Sequence, residues 1–310
     1  AQRTILMGGR EFRCPLSERR VDFSDEPRFS AVAIYLKGRE HLEDKVRVLD
    51  FAAEFMPNTH VIERAKGQVG SCHPRRAVPR GGDGGDGPAG AVPVWFLKEA
   101  DKNWGRSVAC YPSLHACLEA ARQSGGGSCL VVQQHISDPL LTVPSGRKFH
   151  VKFYILLNCA ADGVTWSLYT RRDGYVSISP KKWSFEDLSA DTQITIVRSE
   201  RISASKQCFV PASGSGDSTW PSVYYPKCQA VVLEVVRRAI AARRLEGRPG
   251  QQQFEVLSAD FVPDAAQNVW LLEFNLSPVV RDSEHRVAED ASLGLAGETS
   301  DGGGGCAGGD

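Results

Sequence analysis

The sequence has no net charge and no long apolar run, and both absences narrow what the chain can bind. Of its 310 residues, 37 are Lys or Arg and 37 are Asp or Glu, which gives a formal net charge of +0. A balanced chain has no global field that would attract nucleic acid or a membrane surface, so we expect neither as a partner. No apolar run approaches the roughly 20 residues that a membrane-spanning helix needs. Electrostatic recognition must therefore be local.

Cysteine spacing typical of a metal site is also lacking. The chain has nine Cys, but Cys110, Cys117 and Cys129 are too irregularly spaced for a C-x-x-C site. Reduced thiols of an intracellular protein are the simpler interpretation. The opening residues AQRTILMGGREFRC lack the apolar core of a signal peptide. We therefore expect a cytoplasmic protein.

Changes in composition divide the chain into four parts. Residues 1–70 are interpreted as an N-terminal or central subdomain, which we expect to be incomplete because the chain does not begin with Met. Residues 71–92 are rich in Gly and Pro, which predicts a linker or insertion. Residues 93–288 carry most of the apolar patterning and are interpreted as the catalytic domain, and residues 289–310 are predicted to be a disordered Gly-rich tail.

Periodicity indicates an α+β fold with antiparallel sheets. Helical spacing of apolar residues predicts helices at 41–55, 113–123 and 229–245. Alternation and β-propensity predict strands at 57–62, 94–98, 129–136, 147–158 and 165–179, and a hairpin at 254–278. Several antiparallel pairs mixed with helices favour α+β over a doubly wound parallel sheet.

Polar side chains interrupt the apolar hairpin near its strand ends. Because alternate side chains of a strand share a face, Glu273 and Asn275 point the same way, and Asp260 on the preceding strand can stand beside Glu273. The same alternation places Trp270, Leu272 and Phe274 in the core. Paired carboxylates without a cation are costly, and oxygen ligands on rigid strands suit Mg²⁺. The same residues are equally compatible with a turn cap at Asp260 and an ion pair of Glu273 with an arginine.

Local basic charge favours the metal–phosphate interpretation. Lys98 ends a predicted strand beside a turn, where a lysine commonly meets phosphate oxygens. Residues 147–182 carry seven Lys or Arg against two Asp. This basic strip lies between the lysine strand and the carboxylate hairpin, so a phosphate-rich or acidic ligand explains it better than a solvated sheet face does.

The order of these motifs resembles the tubulin–tyrosine ligase-like family of ATP-grasp ligases. The resemblance rests on VVQQHISDPLL (131–141), GRKFHVKFYILL (146–157), the YTRRDG turn, and FEVLSADF with VWLLEFNLSP. It covers about residues 35–70 and 93–282. The last hairpin is its most specific part.

The resemblance implies an ATP-grasp fold in which two α+β subdomains clasp ATP. It also implies a ligase that phosphorylates a carboxylate to an acyl-phosphate, which an amine then attacks to form an amide or isopeptide bond. Its cofactors would be ATP and Mg²⁺, and its partners a free amino acid and tubulin or another acidic protein tail. A cytoplasmic location associated with microtubules or cilia follows from the same resemblance.

Site residues carry over from the matching motifs. The implied Mg²⁺ ligands are Asp260, Glu273 and Asn275, and the implied catalytic residues are Arg172 and Lys152. The implied nucleotide-binding residues are Lys98, Gln133, Gln134, His135, Ile136, Lys148 and His150.

Three departures leave other functions open. The family usually reads R-K-F-D-x-R, so His150 replaces an aspartate and Lys152 an arginine, and lysine lacks the bidentate fork of arginine. A family H-L-T-N stretch reads QITI (193–196) here. A pseudoenzyme that binds ATP and an ATP-grasp ligase for a substrate other than tubulin therefore remain alternatives.

Overall fold

The structure is a computed structural model that describes residues 36–65, 68–75, 94–100, 107–124, 129–142, 145–172, 174–195, 207–210, 219–276 and 278. The predicted tail 289–310, residues 1–35 and residues 76–92 of the predicted linker lie outside the described part. Within that part, no helix is long and apolar enough to cross a membrane.

The first sheet has five strands, all paired antiparallel, in the order β2-β1-β5-β3-β4. The strands are β1 Thr59–Ala65, β2 Gln68–Arg75, β3 Trp95–Glu99, β4 Ala109–Tyr111 and β5 Cys129–Gln134. Helix α3 (Leu114–Gln123) packs on this sheet and begins at Ser113, whose hydroxyl accepts a hydrogen bond from the Ala116 amide. Such a cap satisfies one of the free N–H groups of the first turn.

The second sheet is also antiparallel, in the order β11-β10-β6-β8-β9, with β7 paired to the far half of β6. Its strands are β6 Arg147–Cys159, β7 Trp166–Thr170, β8 Gly174–Lys182, β9 Gln207–Val210, β10 Gln253–Pro263 and β11 Val269–Leu276. A short helix α4 (Ala190–Gln193) follows β8.

One long helix covers the core face of the second sheet. Helix α5 (Tyr225–Ala241) follows a π-helical turn at Trp220–Tyr224. Its buried residues recur at helical spacing, so one stripe faces the sheet. They pack against inward side chains of β6 and β10 such as Phe153 and Leu257 in the larger of two apolar cores.

The N-terminal segment is broken where one helix was predicted. Residues 41–55 form α1 (Glu40–Glu43), α2 (Leu49–Ala52) and a 3-10 turn at Ala53–Phe55. The Asp44 carboxylate accepts hydrogen bonds from the backbone amides of Val46 and Arg47, which closes a turn between the two helices. The prediction of a single helix is therefore wrong, although the apolar residues of the segment are buried as its spacing required.

Two other boundaries differ from the sequence-based prediction. Residues 71–75 belong to β2 instead of the linker, because they pair with β1 through the backbone, which needs no apolar run. The strand predicted at 165–179 is two strands, since β7 and β8 pair with different halves of β6.

Candidate active site

A cleft lies where the two sheets face each other. Its empty space is about 820 Å³, including the part open to solvent. The lining residues come from both sheets, the N-terminal segment and the stretch after α4. They are Lys45, Pro57, Phe96, Lys98, Val108, Gln133, Gln134, Ile136, Lys148, His150, Gln193, Ile194, Thr195, Asp260, Val262, Leu272 and Glu273. Eight of the twelve site residues carried over from the sequence motifs are therefore brought to one cavity.

Lys98 enters the cleft from the first sheet. Its ammonium donates to the Gln133 side-chain oxygen on β5 at 2.7 Å. Burial lowers the pKa of Lys98 to about 8, although Glu273 across the cleft opposes this effect. Gln133 is itself buried, and its side chain holds Lys98 at the wall of the cleft.

Lys148 enters from the second sheet and is almost fully buried. Its ammonium lies 2.9 Å from His135 Nε2, 3.3 Å from the Gln193 carbonyl oxygen and 4.9 Å from the centre of the Phe96 ring. Burial lowers the pKa of Lys148 to about 7 and holds the pKa of His135 well below its usual range. Which atom donates in the Lys148–His135 contact depends on the tautomer of His135. His135 stands behind Lys148 and does not line the cleft.

The hairpin brings its two carboxylates together. Asp260 on β10 is directly opposite Glu273 on β11, and a β-bulge follows at once, since Phe261 pairs with Leu271. The bulge leaves Leu272 as an extra residue, so Leu272 and Glu273 both face the cleft. The prediction that Leu272 lies in the core is therefore wrong. Leu271 and Phe274 are buried in its place, while Trp270 is only half-buried.

Each carboxylate already has a lysine beside it. Asp260 Oδ1 is 2.5 Å from Lys152 Nζ, and Asp260 Oδ2 accepts from the Asn275 amide at 3.3 Å. Glu273 Oε2 is 3.8 Å from Lys45 Nζ. Two carboxylates and one amide fit Mg²⁺ in ligand type. Within the described residues, no group of three or more His, Cys, Asp or Glu converges, so a cation here would be completed by phosphate oxygens or water.

His150 connects the hairpin to the stretch after α4. Its Nδ1 is 2.6 Å from the Thr195 hydroxyl, and its Nε2 is 3.8 Å from Asp260 Oδ2. Burial lowers the pKa of His150 to about 4, despite the opposing effect of Asp260. The imidazole is therefore neutral at pH 7 and cannot replace the charge of a carboxylate.

Four predicted site residues do not line the cleft. His135, Lys152 and Asn275 each contact a residue that does. Arg172 is exposed in the turn between β7 and β8, and its carbonyl accepts from the Trp220 indole. The basic strip is likewise divided, because Lys148 is buried in the cleft whereas Lys181 and Lys182 are exposed at the end of β8.

Sequence reasoning missed Lys45 and Thr59. Lys45 lies in the turn between α1 and α2, and its ammonium reaches the Ala100 carbonyl oxygen at 3.4 Å as well as Glu273. Thr59 begins β1 and accepts a hydrogen bond from Gln133. No local motif marks either residue. A prediction that β1 and β5 pair would have placed Thr59 beside Gln133.

A family model matches most of the chain. The model of the "Tubulin-tyrosine ligase family" matches residues 33–196 and 212–290, which is well over half of the chain. The chain belongs to this family. The match includes every residue that lines the cleft.

Curated relatives of this tubulin-tyrosine ligase family member are glycylases by name. Protein monoglycylase TTLL8 of Homo sapiens is 24% identical over 210 residues, covering 61% of this chain and 24% of the relative. Tubulin monoglycylase TTLL3 of Danio rerio is 25% identical over 217 residues, covering 63% and 27%. Tubulin glycylase 3C of Tetrahymena thermophila is 24% identical over 200 residues, covering 60% and 18%. The chain thus spans about a quarter or less of the length of these relatives.

Proposed function

We propose that the chain is the core of an ATP- and Mg²⁺-dependent ligase with an ATP-grasp fold. In the proposed reaction, a substrate carboxylate attacks the γ-phosphorus of ATP and ADP leaves. The amine of the second substrate then attacks the acyl-phosphate carbon, and phosphate leaves as the amide or isopeptide bond forms.

One observation carries the proposal. Two lysines, the half-buried Lys98 and the buried Lys148, face the same cleft as the paired carboxylates Asp260 and Glu273. Burial lowers the pKa of both lysines, and the oxygens of a polyphosphate would stabilise their charged forms. The carboxylates stand where a divalent cation would join them to that polyphosphate.

Each proposed role follows from position. Lys98 and Lys148 bind phosphate oxygens, and the β5 end at Gln134 and Ile136 receives the adenine. Asp260, Glu273 and Asn275 would hold Mg²⁺, which screens the phosphate charges and polarises the γ-phosphoryl group when bound. Lys152, paired with Asp260, is assigned to the phosphate side of the proposed metal site. Arg172, exposed beside β7, is assigned to the acceptor side, where it meets an incoming acidic substrate.

The proposed acceptor is an acidic tubulin tail, and the donor a free amino acid. Relatives named for tubulin glycylation support tubulin as the protein substrate. Glycine is accordingly the first amino acid to test, before glutamate and tyrosine. The proposed location, cytoplasmic and on microtubules or cilia, follows from that substrate.

Incorporation of labelled amino acids tests the activity. The protein is incubated with ATP, Mg²⁺, microtubules and labelled glycine, glutamate or tyrosine, and tubulin is analysed for label. We expect ATP-dependent incorporation that Glu273→Gln abolishes while its circular dichroism stays unchanged. Glu119→Gln removes an exposed carboxylate paired with Arg122 far from the cleft and should leave the rate unchanged. Full activity of a folded Glu273→Gln protein would refute the assignment.

A second candidate is an ATP-binding protein without ligase activity. The Lys152–Asp260 contact and the neutral His150 favour it, because they change the charge beside the proposed metal site. A ligase for a small molecule or another peptide is the third. Nucleotide binding without incorporation into any acceptor identifies the second, and turnover with small carboxylates but not with tail peptides identifies the third.

A further inference from the structure

Three hydrogen bonds run in a line behind Lys98. Lys98 Nζ donates to Gln133 Oε1 at 2.7 Å, and Gln133 Nε2 donates to Thr59 Oγ1 at 3.1 Å. The Thr59 hydroxyl then donates to the Pro57 carbonyl oxygen at 2.6 Å. Lys98 and Gln133 line the cleft, whereas Thr59 lies behind them and is 2% exposed.

The donors and acceptors in this chain of hydrogen bonds can be arranged in only one direction. The Pro57 carbonyl can only accept, so the Thr59 hydroxyl must donate to it and accept from Gln133. Gln133 therefore presents its NH₂ group to Thr59 and its oxygen to Lys98. The reverse orientation of the amide would set NH₂ against the Lys98 ammonium, which has no lone pair to accept with.

Sheet pairing fixes the members relative to one another. Thr59 on β1 is directly opposite Gln133 on β5, and β5 pairs with β3, where Lys98 is two residues beyond the position opposite Gln133. The three side chains thus share one face of the sheet, at cross-strand and diagonal distances that such contacts require.

From this arrangement we infer that Thr59 and Gln133 are positioning residues that hold the Lys98 ammonium at the phosphate end of the nucleotide. The inference rests on the proposed function, because it assigns phosphate binding to Lys98. A lysine has several rotatable bonds, and fixing it before the ligand arrives removes an ordering cost from binding. Thr59 does this without touching the ligand.

Replacement of Thr59 by Val tests the inference, since Val has nearly the same shape but no hydroxyl. Thr59→Val leaves the Gln133 amide without its acceptor, so the amide turns and Lys98 loses its partner. We expect the affinity for ADP to fall about tenfold. The affinity for adenosine should not change, because adenosine has no phosphate for Lys98 to meet. A merely structural defect would lower the affinities for ADP and adenosine alike.

Three further variants sharpen the test. Thr59→Ser keeps the hydroxyl and should restore ADP affinity. Gln133→Met removes both hydrogen bonds of the Gln133 side chain with little change in volume. The double variant Thr59→Val/Gln133→Met should lose no more ADP affinity than Gln133→Met alone, because both substitutions interrupt the same chain of hydrogen bonds. Thr142→Val is the matched control, since it removes another buried hydroxyl, one bonded to Arg147 outside the cleft lining.

A second readout needs no nucleotide. The rate at which an amine-reactive reagent labels Lys98, followed by peptide mass spectrometry, should rise in Thr59→Val and stay at the wild-type value in Thr59→Ser and Thr142→Val. If the wild-type protein binds no nucleotide but Lys98 is still labelled faster in Thr59→Val, the proposed function is refuted and the positioning role is kept. Unchanged labelling and unchanged ADP affinity in Thr59→Val would overturn the inference.

Discussion

Lys148 shows how a single buried cation makes a site depend on pH. Among the described residues, the titratable groups near its ammonium are His135, Cys110, Lys98 and His150, and none of these four is an anion at neutral pH. Burial raises the pKa of Cys110 to about 11, so its thiol stays protonated. The charged form of Lys148 is consequently disfavoured until an anion enters the cleft.

We therefore expect the protein to take up protons when it binds a nucleotide. Burial lowers the pKa of Lys148 from its ordinary value of 10.5 to about 7 in the free protein, so above pH 7 Lys148 is mostly neutral. A bound phosphate restores the charged form, so the complex holds more protons than the free protein and affinity falls as pH rises from about 7 toward 10. Calorimetry at pH 8 in buffers of different ionisation enthalpy should detect that Lys148 takes up about one proton from the buffer when the nucleotide binds.

Lys148→Met separates this uptake from that of other groups. Lys98, with a pKa of about 8, should still take up part of a proton in the variant. An uptake equal to that of the wild type would contradict the role of Lys148.

At the scale of elements, the β-bulge in the β10–β11 hairpin decides which side chains reach the cleft. Strict alternation correctly placed Asp260 beside Glu273, because both lie on one side of the bulge. It failed for Leu272, which the bulge turns to the same side as Glu273. A bulge depends on how two strands pair and has no clear signature in the sequence of either strand, so periodicity alone could not reveal it.

Long-range contacts explain why the sequence alone did not reveal the rest of the site. The hairpin, β6 and α5 were predictable because each has its own apolar period. Lys45 reaches Glu273 across 228 positions of sequence, and its approach depends on how the broken helices α1 and α2 dock. Local patterning carries no information about such docking.

The docking of this segment depends on Gly38. Its φ is +84°, and a Cβ there would lie 1.8 Å from the Arg244 carbonyl oxygen at the end of α5. Lys37 and Arg39 on either side form ion pairs with Glu246 and Glu255. We expect Gly38→Ala to lower the free energy of unfolding by roughly 2–4 kcal/mol, combining backbone strain with overlap.

Gly250→Ala is the matched control for this prediction. Gly250 has a φ of +87°, yet nothing lies within 4 Å of its Cβ position. Its substitution should cost only the conformational strain, about 1 kcal/mol. Urea unfolding of both variants measures the difference, and equal losses would show that close approach to Arg244 is not limiting.

At the scale of the whole molecule, the cleft lies between two sheets, each of which packs mainly against an apolar core of its own. The smaller apolar core lies between the first sheet and α3, and the larger one lies beneath the second sheet and includes the N-terminal segment. A ligand that meets Lys98 on one sheet and Glu273 on the other would add contacts across this division. Such a ligand should therefore stabilise both units together.

Thermal unfolding with a non-hydrolysable ATP analogue and Mg²⁺ tests this coupling. At a free ligand concentration of 100 times Kd, binding stabilises the folded state by about 2.7 kcal/mol. Hydrogen exchange should slow in β3 and β5 as well as in β10 and β11, because the ligand contacts both walls. Lys98→Ala and Glu273→Gln should each reduce protection in both sheets, whereas Glu119→Gln should leave it unchanged. Protection confined to one sheet would mean that the nucleotide binds one wall alone, and the two-walled site would have to be abandoned.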